Sequence, residues 1–277
     1  MTLPPLREVV AKHGLDARKA LGQNFIFDLN LTSKIARAGG PYDGVSVLEV
    51  GPGPGGLTRG LVDAGAPRVV AVERDARCLA ALAEISEAFP GRLAAIEGDA
   101  LEFDPISAIS GPIKIVANLP YNVATPLLIR WLHAIHDHPG RIVGMTLMFQ
   151  KEVAARIVAL PSTPPYGRLS VISQWLTEAR AQFDIPPGAF VPAPKVTSTV
   201  VGFWPRPKPA GDAELPVLER VVATAFNQRR KMLRSALRPL GDAVALLAKA
   251  DIDPTRRAET LSIGEFCALA RAVSAAT

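Results

Sequence analysis

Between residues 45 and 160, short apolar runs alternate with longer amphipathic segments. VSVLEV, RVVAVE, RLAAIEGD, IKIVANLP and IVGMTLMFQ have the β-branched, nearly continuous apolar texture of strands buried on both faces. Between or after them, LTRGLVDAG, ARCLAALAEISEAF, TPLLIRWLHAIH and QKEVAARIVAL carry helical spacing. This alternation predicts an α/β fold: a doubly wound parallel sheet with helices on both faces.

After residue 160 the texture changes. Residues 161–167 read as a loop. LSVISQWLTEARAQFDI and STVVGFW read as longer strands that pair antiparallel at one sheet edge. WPRPKPAGD (204–212) is rich in Pro and Gly and is the best linker candidate. Residues 215–277 are helical in pattern. The boundary is therefore expected near 205/206, with a large domain over 1–205 and a small all-helical one over 206–277.

A chain of 277 residues has room for such a pair. Its 48% hydrophobic and 21% charged residues fit a soluble protein with a sizeable core. Cys78 and Cys267 are far apart and outside any ligand spacing, so neither a disulfide framework nor a metal site is expected. No signal-peptide core and no membrane-length apolar run is present, so the expected location is the cytoplasm, with no membrane partner. The net charge of +5 leans towards an anionic partner, though an ordinary basic enzyme carries as much.

The first strand runs into a glycine loop, LEVGPGPGGLT, with Gly51, Gly53 and Gly56 in the G-x-G-x-x-G spacing of nucleotide-binding turns. Glu73 ends the second strand, where a carboxylate can accept both hydroxyls of a ribose, and Asp99 ends the third, where one can accept from an exocyclic amine. An NAD enzyme is one reading. Against it, Pro52 and Pro54 have no N–H to offer a diphosphate. A nucleoside cofactor without a diphosphate suits the loop better, and S-adenosylmethionine is such a cofactor.

The fourth strand ends beside the same crevice in Asn118-Leu119-Pro120-Tyr121. An adenine amine is a poor nucleophile because its lone pair is delocalised into the ring. Two acceptors set tetrahedrally around it favour a pyramidal nitrogen. The Asn118 side-chain oxygen is one such acceptor. A main-chain carbonyl of Leu119, held extended by the following proline, or of Pro120 is the other. Tyr121 offers a face for a flipped base, worth about 1–3 kcal/mol. Phe190, in the stiff PPGAFVPAPKV segment, is a candidate for the opposite face; packing in the core is its alternative.

LGQNF (21–25), LEVGPGPGGLT (48–58), VANLPYN (116–122), QKEVAARIVA (150–159), YGRLSV (166–171) and FVPAPKVTSTVV (190–201) together resemble the ribosomal RNA adenine dimethylase family. QRRKMLRSAL (228–237) and RAETLSIGEFCALA (257–270) resemble its small-subunit branch. The resemblance covers nearly the whole chain. It implies a Rossmann-like seven-stranded S-adenosylmethionine-dependent methyltransferase sheet, an N-terminal lid over about residues 1–40, and a helical RNA-binding C-terminal domain. It implies N6,N6-dimethylation of two adjacent adenosines near the 3′ end of small-subunit rRNA, in an assembling subunit. Residue by residue, it implies that Asn24 and Ile26 close over the cofactor and that Gly51 lines its methionine part. Glu73 then takes the ribose, Asp99 the adenine, and Asn118 both cofactor and target amine; Tyr121 and Phe190 are the base-stacking pair. Gly53 belongs to the same loop. Arg74 stands where an apolar residue is usual, and Ala193 where proline is frequent.

Residues 220–238 hold six basic side chains and no acidic one. Read as one helix, they put Arg230 and Arg234 on a shared face, and Arg229, Arg230, Lys231 and Arg234 become candidates for phosphate contacts. Arg18 and Lys19, near the lid, are candidates for the same RNA. A solvated helix face is the alternative. Two further readings of the function stand beside the main one: the same chemistry on large-subunit rRNA, and an assembly factor in which methylation is secondary. Nothing in the sequence demands more than a monomer.

Overall fold

The computed structural model describes residues 3–17 and 23–276. Arg18 and Lys19 lie outside the described residues. Helix α1 (Leu6–His13), the short strand β1 (Phe25–Ile26) and α2 (Leu29–Gly39) precede the sheet. Then β2 (Ser46–Val50), α3 (Gly56–Asp63), β3 (Arg68–Glu73), α4 (Ala76–Ala88), β4 (Leu93–Glu97), α5 (Pro105–Ala108), β5 (Ile113–Ala117), α6 (Tyr121–Asp137) and β6 (Ile142–Gln150) deliver the expected alternation. After it come α7 (Lys151–Val158), α8 (Arg168–Leu176), β7 (Thr177–Ile185), β8 (Phe190–Val191) and β9 (Ser198–Pro205). Helices α9 (Leu215–Asn227), α10 (Leu233–Ala236), α11 (Ala243–Lys249) and α12 (Ile263–Ser274) complete the chain.

Seven strands form one sheet in the order β4-β3-β2-β5-β6-β9-β7. Strands β2 to β6 are parallel where they pair, and β9 runs antiparallel to β6, with Gln150 opposite Ser198. The central strands are buried almost throughout, which is why their sequences are apolar without alternation. From β2 the chain first fills one side of the sheet with β3 and β4, then crosses to the other with β5 and β6. At such a reversal the loops leaving the carboxyl ends of β2 and β5 part, and a crevice opens between them. Below it, Val47, Val69, Ala71 and Val116 pack with Leu61, Leu82 and Ile85 of α3 and α4. Each of the valine, leucine and isoleucine side chains contributes about 1.5–3 kcal/mol when fully buried.

One segment departs from the sequence reading. Residues 168–176 form helix α8, and only from Thr177 does the chain become the edge strand β7. Leu169, Ile172, Ser173 and Leu176 are all buried at helical spacing. Ser170 Oγ accepts from Gly167 N–H at 3.0 Å and donates to the Arg156 carbonyl at 2.5 Å. Thr177 Oγ1 donates to the Ser173 carbonyl at 2.7 Å, covering the helix end.

The chain divides into two compact units, Met1–Ala154 with Arg180–Pro205, and Ala155–Ala179 with Arg206–Thr277. The second unit is helical. Its core includes Leu218, Val222, Leu233, Leu247, Phe266 and Leu269. The Tyr166 hydroxyl donates to the Leu261 carbonyl at 2.9 Å, and its ring meets Phe226 edge-on. Among the described residues no helix is long and apolar enough to cross a membrane, and no group of three or more His, Cys, Asp or Glu is placed to hold a metal.

Candidate active site

The crevice is walled by the β2–α3 loop, the ends of β3, β4 and β5, and the short strand β1. Asn24, Ile26, Gly51, Gly53, Glu73, Asp99, Asn118, Leu119, Pro120 and Tyr121 all line it. Residues expected from five separated stretches of sequence thus meet at one cavity.

The glycine loop is shaped for this. Gly51 and Gly53 have φ of +69° and +54°, values that side-chain-bearing residues rarely adopt. A Cβ on Gly53 would lie 2.8 Å from the Phe25 ring, so the packing of Phe25 also requires a glycine there. The Gly53 N–H donates to Glu73 Oε2 at 2.9 Å, and the Asp75 N–H donates to Glu73 Oε1 at 2.8 Å. Both carboxylate oxygens are therefore oriented before any ligand arrives. Burial raises the pKa of Glu73, and these backbone donors work against the rise.

Asp75 continues the network. It accepts from Arg77 and, at 3.1 Å, from Gln23 Nε2. The Arg77 bonds hold its pKa at about 2. Arg77 also donates to the Gly14 carbonyl at 3.1 Å, tying the chain that follows α1 to the start of α4. At the far wall, Asp99 Oδ1 accepts from Leu101 N–H at 2.9 Å, and Arg74 lies 3.5 Å from its Oδ2.

Deeper in the crevice is Glu49, an acid on β2 that is only 1% exposed. Its Oε2 accepts from Thr58 at 2.7 Å, and its Oε1 has no partner among the described residues. Burial lifts its pKa to about 8, so the carboxyl is mostly protonated at neutral pH. Sequence reasoning passed over Glu49. A carboxylate inside an apolar strand, two residues before the glycine loop, was the available signal. Gln23, Asp75 and Ser198 also went unselected.

At the end of β5, Asn118 Nδ2 donates to the Asn24 carbonyl at 3.1 Å. This fixes the amide and leaves its Oδ1 without a partner among the described residues. Leu119 is buried at 2% exposure. The Pro120 carbonyl accepts from Val123 N–H at 3.1 Å within the first turn of α6, whereas the Leu119 carbonyl has no backbone partner among the described residues. Tyr121 is half-buried, with its hydroxyl 2.6 Å from Ser198 Oγ. Burial raises the phenol pKa despite that bond.

Phe190 is placed differently from the expectation of an open ring. It is 2% exposed and belongs to the core with Ile26, Val116, Met148 and Val200. The cause is a two-stranded ribbon: β8 pairs antiparallel with β1, setting Phe190 opposite Ile26 and Val191 opposite Phe25. A base reaches the Phe190 ring only if β8 moves.

The basic segment is not one helix. α9 ends at Asn227, residues 228–232 turn, and α10 begins at Leu233. The break is tertiary in origin: Leu233 N–H donates to the Arg256 carbonyl at 2.8 Å and Arg234 N–H to the Pro254 carbonyl at 3.1 Å. Arg230 and Arg234 therefore do not share a helical face at i and i+4. Both remain exposed, as does Lys231. Arg229 is engaged within its own unit, at 2.8 Å from Glu259 and 2.6 Å from the Pro164 carbonyl.

A glycine loop at the reversal of a parallel sheet, faced by a pre-oriented carboxylate on the next strand, is the arrangement with which doubly wound α/β folds form a ligand crevice. The family is specific: the profile of the ribosomal RNA adenine dimethylases matches residues 14–274, and the chain belongs to that family of transferases. It is 61% identical over 274 residues to the ribosomal RNA small subunit methyltransferase A of Rhodospirillum rubrum, covering 99% of this chain and 94% of the relative. It is 60% identical to the protein of the same description in Paracoccus denitrificans, over 99% and 97% of the two chains. Among solved structures, a dimethyladenosine transferase from Plasmodium falciparum superposes with a TM-score of 0.74 at 21% identity, over 88% of this chain and 95% of that one. The 23S rRNA methyltransferase ErmE does so with 0.68 at 24% identity, over 91% and 100%. These two likenesses establish the Rossmann-like methyltransferase fold.

Proposed function

We propose that the protein uses S-adenosylmethionine to convert two adjacent adenosines near the 3′ end of small-subunit rRNA to N6,N6-dimethyladenosine, during assembly of that subunit. The names of the relatives at about 60% identity favour the small-subunit substrate over the large-subunit one. The observation that carries the reading is the Asn118 amide, tethered through its nitrogen to Asn24 with its oxygen left for an amine.

The residues fit the cofactor. Glu73, fixed by two backbone donors, has lone pairs left for a ribose. A Cβ at Gly53 would strike the Phe25 ring in the cradle that holds the methionine end. Asp99 bounds the adenine end, and Asn24 and Ile26 cover the cofactor. When bound, the cofactor supplies an electrophilic methyl group on its sulfonium.

Asn118 Oδ1 and a backbone carbonyl accept the two N–H groups of the target amine and turn its lone pair towards that methyl. The second acceptor is the Leu119 carbonyl, because that of Pro120 already serves α6. Tyr121 supplies the stacking face, and Phe190 joins it only when β8 is displaced. No general base is required, since the methylated amine is acidic enough to lose its proton to water. Positioning and electrostatics carry the rate. Arg230, Lys231 and Arg234 contact phosphates, with Arg229 holding the turn that presents them. The enzyme works as a cytoplasmic monomer.

Asn118→Ala tests the assignment. Methyl transfer to small subunits should fall roughly a hundredfold or more, with RNA binding largely kept. Activity near wild type would remove Asn118 from the acceptor role.

A further inference from the structure

Ser198, the partner of the Tyr121 hydroxyl, is the middle residue of the tripeptide Thr197-Ser198-Thr199, and each of the three is tied to the protein around it. The Thr197 carbonyl accepts from Lys151 N–H at 2.9 Å. Ser198 Oγ is 2.6 Å from the Tyr121 hydroxyl. Thr199 Oγ1 donates to Asp184 Oδ1 at 2.7 Å, and Lys151 Nζ holds the other oxygen of Asp184 at 2.6 Å. Ser198 is completely buried and Thr199 is 4% exposed. The backbone of Ser198 is also set by the ladder, opposite Gln150 of β6. Three consecutive residues are thus fixed, and the middle one reaches the ring at the mouth of the crevice.

Tyr121 needs such a partner. It is the first residue of α6 and is only half-buried, so packing alone does not enclose its ring. A hydrogen bond from the far end of the ring to a rigid strand fixes where the ring lies and, because a phenol O–H keeps to the plane of its ring, opposes its turning. A stacking face is useful only if its plane is set before the base arrives, because a small misplacement at the reacting centre is costly.

We propose that Ser198 is a positioning residue for methyl transfer: its hydroxyl holds the Tyr121 ring in the plane on which the target adenine stacks. The proposal rests on the function given above, and it assigns the VTST segment a role in the chemical step. The Tyr121 phenol is then an anchor, with its hydroxyl turned to the protein and only its face turned to the base.

The test uses the full-length protein and small ribosomal subunits from a strain that lacks the modification. Single-turnover methyl transfer is measured for wild type, Ser198→Ala, Tyr121→Phe and the double variant, with S-adenosylhomocysteine affinity and thermal stability alongside. Each single variant should slow transfer roughly 10- to 100-fold, with cofactor affinity unchanged. The double variant should be no slower than the worse single one, because both remove the same bond. A 2-aminopurine placed at the target position of the RNA should be less quenched by either variant than by wild type. Wild-type rates in Tyr121→Phe would overturn the proposal even if Ser198→Ala fails to fold. Additive losses in the double variant would also overturn it, since Ser198 would then act on something other than Tyr121. A wild-type protein that transfers no methyl group would instead refute the functional reading on which the proposal stands.

Discussion

Glu49 offers a perturbation whose size follows from its surroundings. Its carboxyl is 1% exposed, bonded through one oxygen to Thr58 and unpartnered at the other. Burial raises its pKa from the ordinary 4.5 to about 8. The folded value lies above the unfolded one, so this residue's contribution to stability is highest at acid pH. It falls as pH rises from the unfolded value through the folded one. Three and a half units at about 1.36 kcal/mol each set an upper limit of about 5 kcal/mol. Glu49→Gln keeps the shape and the acceptor for Thr58 but cannot ionise. Between pH 5 and pH 8, wild type should lose roughly 3–4 kcal/mol of stability relative to the variant. Urea unfolding of both proteins across that range, followed by circular dichroism, measures the difference directly. Titration of acids remote from Glu49 is common to both and cancels, and the charge of Glu73, which adds to the rise at Glu49, is part of the effect measured. Parallel pH dependences for the two proteins would refute the reasoning, since Glu49 would then be charged or solvated in the folded state.

Two other substitutions probe separate parts of the account. Gly53→Ala places a methyl group 2.8 Å from the Phe25 ring at a φ of +54°. The backbone strain alone is worth about 1–2 kcal/mol, so S-adenosylhomocysteine binding by calorimetry should weaken roughly tenfold or more; unchanged affinity would mean that the loop does not form the cofactor cradle. Arg230→Glu with Arg234→Glu should weaken RNA binding and flatten its salt dependence, leaving cofactor binding alone. Unchanged RNA affinity would make these arginines an ordinary solvated surface.

Much of this architecture could be read from sequence because the central strands are buried on both faces. A continuous apolar run such as IKIVA admits few other placements once helices alternate with it. The glycine loop, Glu73, Asp99 and NLPY were legible for a related reason, since each sits at a strand end, where the topology itself gathers side chains. What was missed depends on partners distant in the chain. LSVISQWL looks like a strand because Ser170 and Ser173 interrupt its helical apolar stripe; both are buried, Ser170 hydrogen-bonded and Ser173 with its hydroxyl unpartnered among the described residues. The turn at 228–232 contains neither Gly nor Pro; the carbonyls of Pro254 and Arg256 interrupt the helix there. Phe190 is drawn into the core by pairing with Ile26, more than a hundred residues earlier, which no local pattern encodes. The acid of Glu49 was visible in the sequence, but its protonation is a property of burial.

The central claim is methyl transfer to adenosine in small-subunit rRNA. Its most direct test is to incubate the protein with S-adenosylmethionine and, separately, with small or large ribosomal subunits from a strain lacking the modification, then to identify the nucleosides of each digested RNA by mass spectrometry. The account predicts N6,N6-dimethyladenosine from small subunits and none from large ones. Product confined to the large subunit, or none from either while the cofactor still binds, would contradict it.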